Sequence, residues 1–317
     1  KTDTIPVMNE KASSLSFYKK GAWALHTLRE DIGAKNFQKI VKKYLKKHQY
    51  KNVITDEFLA EVKKVVKTFD AENFKKTWLE TSGFDMVLAE SYLVKNKSVA
   101  AYIQLTKEKK DLENYKAILE SETYFPIKQY IFYKLANTPF EDKKELIEIG
   151  MKQNLYVRQA IAETVTKIPV EFKSQYETFL DDASYNTKEI ALINLCKNFP
   201  EDKKNYLMKT KNIIGNNDKS FRISWLSLDF LSDDDGYEKY LILQELLDFS
   251  SERYESSIRQ NALEVLLKLA PDDYFVIASL FRATTHHKWQ FTKFSRDIIR
   301  KKKKNSEFRN RVEELAK

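Results

Sequence analysis

The 317-residue sequence has few of the residues on which several protein classes depend. It has one cysteine, Cys196, which excludes an internal disulfide. Its six glycines are far fewer than the turns of a large sheet protein require. It also has no stretch of ~20 apolar residues, the length that a membrane-spanning helix needs. With 42% hydrophobic and 13% aromatic residues, the composition predicts a folded, all-α protein with no membrane span.

Positive charge is in modest excess, because 55 Lys and Arg stand against 46 Asp and Glu, a net charge of +9. Most of it alternates with acidic residues, as in KKELIEIG, which is typical of a solvated helix surface. A nucleic-acid partner is therefore not expected. The run RKKKK at residues 300–304 is the exception and predicts a frayed basic terminal helix, with a phosphate-binding patch as the alternative. Nothing in the sequence indicates a cellular location.

Potential metal ligands are scarce in this sequence. It has four histidines and no HExxH pattern, and His26 and His48 stand alone. His286 and His287 are adjacent, and adjacent side chains on a helix point about 100° apart, which would prevent shared ligation. Cys196 lies in the apolar run IALINLCKNF, which predicts a small core residue. We therefore expect no metal site formed by this chain alone.

The segment SLSFYKKGAWALHTLREDIG, residues 14–33, predicts an amphipathic helix. Ser13 or Ser14 can cap its start, and Gly33 can end it. Spacings of three and four residues predict an inner face, and its members are Leu15, Tyr18, Ala22, Leu25 and Arg29, with Gly21, Leu28 and Ile32 flanking them. On that face alone, Tyr18 would be a packing residue.

The string FYKKGAWAL, followed by Ile32 and Gly33, Phe37 and the run YLKKH, resembles the aminopeptidase N family of zinc metallopeptidases, which includes the leukotriene hydrolases. In that family a Tyr-Glu-Lys-Gly-Ala-like segment opens a helix downstream of the zinc site, and its tyrosine hydroxyl donates to the oxyanion of the tetrahedral intermediate. The resemblance implies that Tyr18 is the catalytic tyrosine. Lys19 stands where the family usually has Glu.

Further predicted helices continue the resemblance as far as residue 83. One follows the stripe that begins at Phe37, a second starts at Thr55, whose hydroxyl can cap it, and a third is capped by Asp70. The start TDEFLAEV and the pattern Trp-Leu-x-x-x-Gly at residues 78–83 resemble the last helices of the family's thermolysin-like catalytic domain. Asp85 stands where the family commonly has proline, and we expect the domain 1–85 to end there.

The resemblance implies a zinc aminopeptidase that removes N-terminal residues from peptides. In that family zinc polarises the scissile carbonyl and an upstream glutamate activates water. The zinc motifs lie upstream of the tyrosine helix, whereas 17 residues precede Tyr18 here. We therefore expect this sequence to be the C-terminal portion of a larger enzyme. Alone it should bind no zinc and be inactive, and it should pack on the enzyme's N-terminal and catalytic portions.

Residues 86–111 are predicted to be a linker. The stretch 84–106 is rich in Val and Tyr, which indicates a short β-hairpin around Lys95 to Lys97. A helix fits the same residues nearly as well. The stretch is too short for the β-sandwich that many relatives of the family carry at this point.

From residue 112 to residue 317 the sequence repeats with a period near 30. Basic residues near the predicted helix starts lie 30, 30, 34, 37 and 29 residues apart, and they are Lys128, Arg158, Lys188, Arg222, Arg259 and Lys288. In four units a proline follows where the first helix of a pair should end, namely Pro139, Pro169, Pro200 and Pro271. This pattern predicts a HEAT/armadillo-like α-solenoid, with an irregular helical bundle as the alternative. The family's C-terminal domain is also a HEAT-like solenoid.

The recurring basic residues have two possible roles. Each can pair with an acidic neighbour from the previous unit, as a structural contact. Alternatively Arg158, Arg222 or Arg259 faces the substrate cavity that the solenoid would wall, and binds the carboxylate end of a peptide. For the chain as a whole, the alternative function is a non-catalytic repeat scaffold that binds a protein or nucleic acid.

Overall fold

The computed structural model describes residues 5–107, 111–232 and 236–315. Two compact units divide the chain between residues 109 and 110. The described residues form helices and no strand, so the all-α prediction is confirmed. None of the described helices has the length and apolar character needed to cross a membrane.

The first unit contains six α-helices among its described residues. They are α1 (Ser14–Ile32), α2 (Ala34–Lys47), α3 (Thr55–Val65), α4 (Ala71–Phe74), α5 (Met86–Leu93) and α6 (Lys97–Lys107), and α4 continues into a π-helical segment (Lys75–Glu80). Ser13 Oγ accepts a hydrogen bond from the backbone N–H of Ser16 at 3.1 Å, which confirms one predicted cap. Gly33 ends α1 with a φ of 82°, a value that favours glycine.

The cap of α3 differs from the prediction. Thr55 is already the first helical residue, so its hydroxyl donates to the sulfur of Met8 at 3.2 Å instead of capping the helix. The carboxylate of Glu57 accepts from the backbone N–H of Ile54 at 2.9 Å and secures this end. Asp70 caps α4 as predicted, by accepting from the backbone N–H of Asn73 at 3.0 Å.

One apolar core holds the first unit together. Its buried members are Val7, Ala24, Leu28, Ile32, Ile40, Leu59, Val62, Phe74 and Leu79. α1 packs against α2 and the π-helical segment, and α2 packs against α3. The segment before α1 is tied to this core, because Met8 N–H donates to the carbonyl of Leu79 at 3.1 Å and Lys20 Nζ donates to the carbonyl of Ile5 at 2.9 Å. The core therefore fixes which face of α1 points inward.

The hairpin prediction for residues 84–106 is wrong, and its helical alternative is confirmed by α5 and α6. Asp85 Oδ1 accepts from the backbone N–H groups of Val87 and Leu88 at 3.0 and 2.9 Å, which starts α5. Asn96 Oδ1 accepts in the same way at the start of α6. These local caps favour helices, whereas an isolated hairpin is marginal in water. The first compact unit extends past residue 85, and a functional boundary at that residue stays a prediction.

The second unit contains α7 to α19. They are α7 (Leu112–Glu120), α8 (Phe125–Lys134), α9 (Phe140–Met151), α10 (Leu155–Thr164), α11 (Lys173–Glu177), α12 (Tyr185–Asn198), α13 (Lys203–Thr210), α14 (Ser220–Phe230), α15 (Gly236–Ser250), α16 (Ser256–Leu269), α17 (Tyr274–Ala283), α18 (Trp289–Lys302) and α19 (Ser306–Leu315). Short 3-10 turns occupy Val170–Phe172, Thr178–Asp181 and Pro200–Asp202. Each of the four predicted prolines follows the end of a helix, as expected.

Alternate helices pack on one another along much of this unit. α8 contacts α10, α10 contacts α12, α12 contacts α14, α14 contacts α16, and α16 contacts α18. At Gly150, a Cβ would lie 2.5 Å from Phe132 Cζ and 2.6 Å from Ile161 Cδ1, so glycine permits α9 to approach its neighbours. Contacts between alternate helices are what stacked two-helix units produce.

Hydrogen bonds between these helix pairs recur near the sequence period. Hydrogen bonds join residues that lie 29 to 32 positions apart: Tyr133 to Glu163, Asn194 to the carbonyl of Ala162, Asn198 to the carbonyl of Thr166, and Ser250 to Ser279. At Asn194 and Ser250 such bonds satisfy polar groups that lie between packed helices. They link α8 to α10, α10 to α12, and α15 to α17.

Candidate active-site surface

The face of α1 that was predicted to point inward points outward in the structure. Ala24, Leu28 and Ile32 point into the core, while Tyr18 and Leu25 are 72% and 44% exposed. The prediction that Tyr18 lies on the inner face is therefore wrong. α1 carries apolar residues on both faces, and the set spaced by four residues through Leu28 is the one that packs on α2 and the π-helical segment.

Tyr18 is presented to solvent with its hydroxyl available. The hydroxyl makes no hydrogen bond to any residue that the structure describes. Its ring contacts Phe17 edge-on, with centroids 5.6 Å apart, and Phe17 is also exposed. A tyrosine in this position can donate a hydrogen bond to an external oxygen.

The backbone that carries Tyr18 is held by contacts at its start and by the packed face of α1. The Ser13 cap fixes the start of α1, and Lys20 binds the segment before it through Ile5. The buried hydroxyl of Thr27 donates to the carbonyl of Ala24 at 2.9 Å, a bond within α1 that satisfies this polar group on the packed face. A donor on such an anchored helix is oriented before any ligand arrives, which is the condition for preorganised stabilisation of charge.

A separate cleft of about 610 Å³ lies beside α1. Its lining includes Lys20 and Trp23 of α1, Trp78 of the π-helical segment, and Phe84 and Leu88, which come later in the chain. Trp23 and Phe84 meet edge-on at 5.7 Å, and the buried indole N–H of Trp23 has no acceptor among the described residues. Sequence reasoning missed this cleft because its residues are distant in sequence.

The residues in hand do not fit the zinc ion that the family resemblance implies. A catalytic zinc site needs three protein ligands, and nowhere in the described ranges do three His, Cys, Asp or Glu side chains converge in a way that could hold a metal. His26 packs against Trp23, with ring centroids 5.2 Å apart. His286 and His287 lie between α17 and α18, so the assumption that they share a helix is wrong, and their rings stack at 4.2 Å.

The recurring arginines of the second unit make internal contacts. Arg158 Nε donates to Asp182 at 2.6 Å, and Arg222 donates through two nitrogens to Glu245 at 2.7 Å each. Both acidic partners come later in the chain, so the predicted pairing with the previous unit is wrong for these two arginines. Arg259 is buried, with its guanidinium 5.1 Å from the Phe291 ring centroid, and burial lowers its pKa.

The recurring lysines differ from one another in their contacts. Lys128 Nζ donates to Gln153 Oε1 at 2.9 Å, and Lys188 lies over the ring of Tyr185. Lys288 pairs with Glu255, an acidic residue of the previous unit, at 3.0 Å. A role for Arg158, Arg222 or Arg259 in binding peptides stays a prediction.

Cys196 is buried in α12, as predicted for a small core residue. Burial raises the pKa of its thiol to about 11. A thiol in such a site is poorly ionised at neutral pH, so it lacks the thiolate that a nucleophile or a metal ligand requires.

Comparison with known proteins points to the part of the chain that carries Tyr18. Residues 8–78 match the family described as Peptidase family M1 domain. Aminopeptidase N of Lactococcus lactis subsp. lactis is 34% identical over 83 residues, which are 26% of this chain and 10% of that protein. The chain thus aligns with a tenth of its curated relative, and no solved structure matches it. These similarities support a relationship between the helices around Tyr18 and peptidase family M1.

Proposed function

We propose that this chain is the C-terminal part of a zinc aminopeptidase, and that Tyr18 is the residue through which it takes part in peptide hydrolysis. The observation that carries the proposal is the exposed hydroxyl of Tyr18 on a helix anchored by its opposite face, within the segment similar to peptidase family M1. The reaction class comes from that similarity and the aminopeptidase relative.

Tyr18 would donate a hydrogen bond to the oxygen that becomes negative when water attacks the scissile carbonyl. Such a donor lowers the barrier because its dipole is already aimed at the developing charge. Since the bond strengthens in the transition state, it acts on kcat more than on substrate binding. No polar partner within the described residues competes for the Tyr18 hydroxyl.

The remaining catalytic groups would come from residues outside this sequence. Zinc ligands and a general base are required by the reaction class, and no HExxH pattern occurs in the 317 residues. The polypeptide alone should accordingly be inactive. We propose that the exposed face of α1, with Phe17, Tyr18 and Leu25, lies against the part of the enzyme that holds the zinc.

Residues 112–317 would form a HEAT-like solenoid that walls the substrate cavity. The proposal is supported by packing between alternate helices and by hydrogen bonds at separations of 29 to 32 residues. Both features are typical of stacked helical repeats.

The test of the catalytic proposal is Tyr18→Phe in the complete gene product. Loss of an oxyanion donor should lower kcat about 100- to 1,000-fold with little change in KM, measured on an aminoacyl-anilide substrate. Tyr50→Phe is the matched control, because Tyr50 is a fully exposed tyrosine of the same unit outside α1. Equal kcat values in the two variants, or a gene product without chelator-sensitive aminopeptidase activity, would refute the proposal.

The arginines of the second unit have their own test. If Arg158, Arg222 or Arg259 binds the substrate carboxylate, its replacement by Ala should raise KM for free peptides but not for C-terminally amidated ones. Comparing two substrates on one variant cancels any loss of folded protein. Equal changes for both substrates would leave the arginines as structural residues.

A further inference from the structure

Positive charge in the second unit is concentrated in its last two helices. Residues 288–311 contain ten Lys and Arg against two Asp and Glu, a net charge of +8 in a chain whose total is +9. α18 continues through Lys302 and ends within the basic run, and α19 follows it, so a frayed end stays a prediction. Lys302 Nζ lies 5.4 Å from the ring of the buried Phe308, which joins the two helices. The charge therefore surrounds the junction between α18 and α19.

One face of α18 aligns cations with an exposed indole. Trp289, Lys293, Arg296 and Arg300 are exposed and lie four, three and four residues apart, which places them on one side of the helix. At 1.5 Å per residue this stripe is about 16 Å long. Lys301, Lys303 and Lys304 extend the charge beyond it, and we call these seven residues the α18 basic surface.

Much of this charge is free to meet a partner. The ammonium groups of Lys301, Lys303 and Lys304 make no hydrogen bond or ion pair with the described residues. Asp297 accepts from Lys293 at 2.6 Å and from Arg300 at 2.9 Å, but exposed pairs of this kind are weak and screened by salt. Trp289 is 67% exposed. Its ring packs on no other aromatic ring within the described part of the chain.

We propose that the α18 basic surface binds a single-stranded nucleic acid, with lysines and arginines on the phosphates and Trp289 stacked on a base. A row of cations beside an exposed aromatic is the arrangement that single-strand binding uses. An anionic membrane fits less well, because the apolar side chains of α18 such as Phe291 and Ile299 are buried and Trp289 alone remains to insert. An acidic protein would use the cations but leave the indole without a role.

The experiment measures binding of the full chain to a fluorescein-labelled single-stranded RNA of mixed sequence, about 20 nucleotides long, by anisotropy. Lys301→Glu/Lys303→Glu/Lys304→Glu should weaken binding at least about tenfold. It should also reduce the slope of log K against log salt by about 2, because each lost phosphate contact contributes about 0.7. If that variant loses helical circular dichroism, the corresponding Lys→Gln variant replaces it.

The matched control is Lys42→Glu/Lys43→Glu/Lys46→Glu on α2. These lysines are also exposed and without partners in the described ranges, so the change in total charge is identical. The control should keep its affinity within about twofold, since only local charge contacts the phosphates. Equal losses in the two triple variants would mean general charge attraction and would overturn the proposal.

Trp289 gives a second and independent readout. Stacking should quench its fluorescence when RNA is added, and Trp289→Ala should weaken binding about five- to hundredfold. Trp289→Phe should abolish the quenching and keep most of the affinity. Absence of RNA binding would refute the proposal. Tighter binding to vesicles of about 30% phosphatidylserine, with a blue-shifted Trp289 emission, would refute it in favour of a membrane partner.

Discussion

Glu61 is a buried carboxylate shared by two lysines. Its Oε1 lies 2.5 Å from Lys47 Nζ and 2.7 Å from Lys64 Nζ. The hydrogen bonds from Lys47 and Lys64 lower the pKa of the carboxyl from 4.5 to about 2. Because the folded-state pKa lies below the unfolded one, this stabilisation is fully present above pH 4.5 and is lost as the pH falls towards 2.

Glu61→Gln should therefore reduce the acid sensitivity of the first unit. We expect the urea midpoint to fall less between pH ~6 and pH ~3 in this variant than in the unmodified protein, because the amide does not titrate. Glu72→Gln is the control, since Glu72 is exposed and makes no ion pair with the described residues. The same acid dependence in Glu61→Gln and the unmodified protein would contradict this account.

At the scale of single elements, α1 offers two leucines in contrasting settings. Leu28 is 0% exposed and Leu25 is 44% exposed, three residues apart on one helix. Leu28→Ala should lower the free energy of unfolding by about 2 to 5 kcal/mol, because it removes apolar contacts and leaves a cavity. Leu25→Ala should change it by less than about 0.5 kcal/mol. Urea denaturation followed by circular dichroism measures both changes. A larger loss of stability in Leu25→Ala than in Leu28→Ala would mean that the inner face of α1 is the one predicted from the sequence.

The elements that the sequence predicts well are those with local causes. Ser13, Asp70 and Gly33 act within four residues of their own position, so their chemistry can be read directly from the chain. The inward face of α1 depends on distant partners such as Ile40 and Leu79, and a helix with apolar residues on two faces leaves that choice open. The same limit applied to residues 84–106, where Val and Tyr fit a strand as well as a helix.

At the scale of the whole molecule, the period near 30 predicts where neighbouring units touch, but not which residues pair. The contacts of Arg158 and Arg222 with later residues depend on how far each helix is shifted against the next. The Tyr18 surface could be proposed from its motif, since FYKKGA is contiguous. The cleft beside Trp23 could not, because Trp78 and Phe84 reach it only through the fold.

Replacing Asn198 shows how far a local loss of stability extends through the second unit. Its side chain donates to the carbonyl of Thr166 and accepts from the backbone N–H of Ile168, both at 3.0 Å. In Asn198→Ala, amide exchange should rise in residues 155–210 and stay unchanged in α16 to α18, because stacked repeats transmit stability mainly to their neighbours. Hydrogen-exchange mass spectrometry separates these regions. A uniform rise through α18 would indicate one cooperative block.

Because Cys196 is buried, the rate at which its thiol is labelled can report local opening of the second unit. It is the chain's one thiol, and with a pKa of about 11 only roughly a thousandth of it would be thiolate at pH ~8, even if reagent could reach it. Alkylation in native buffer should therefore proceed only in molecules in which α12 has transiently come away from its neighbours. The labelling rate, read at increasing reagent concentration, reports first the population of that open form and then the rate at which it appears.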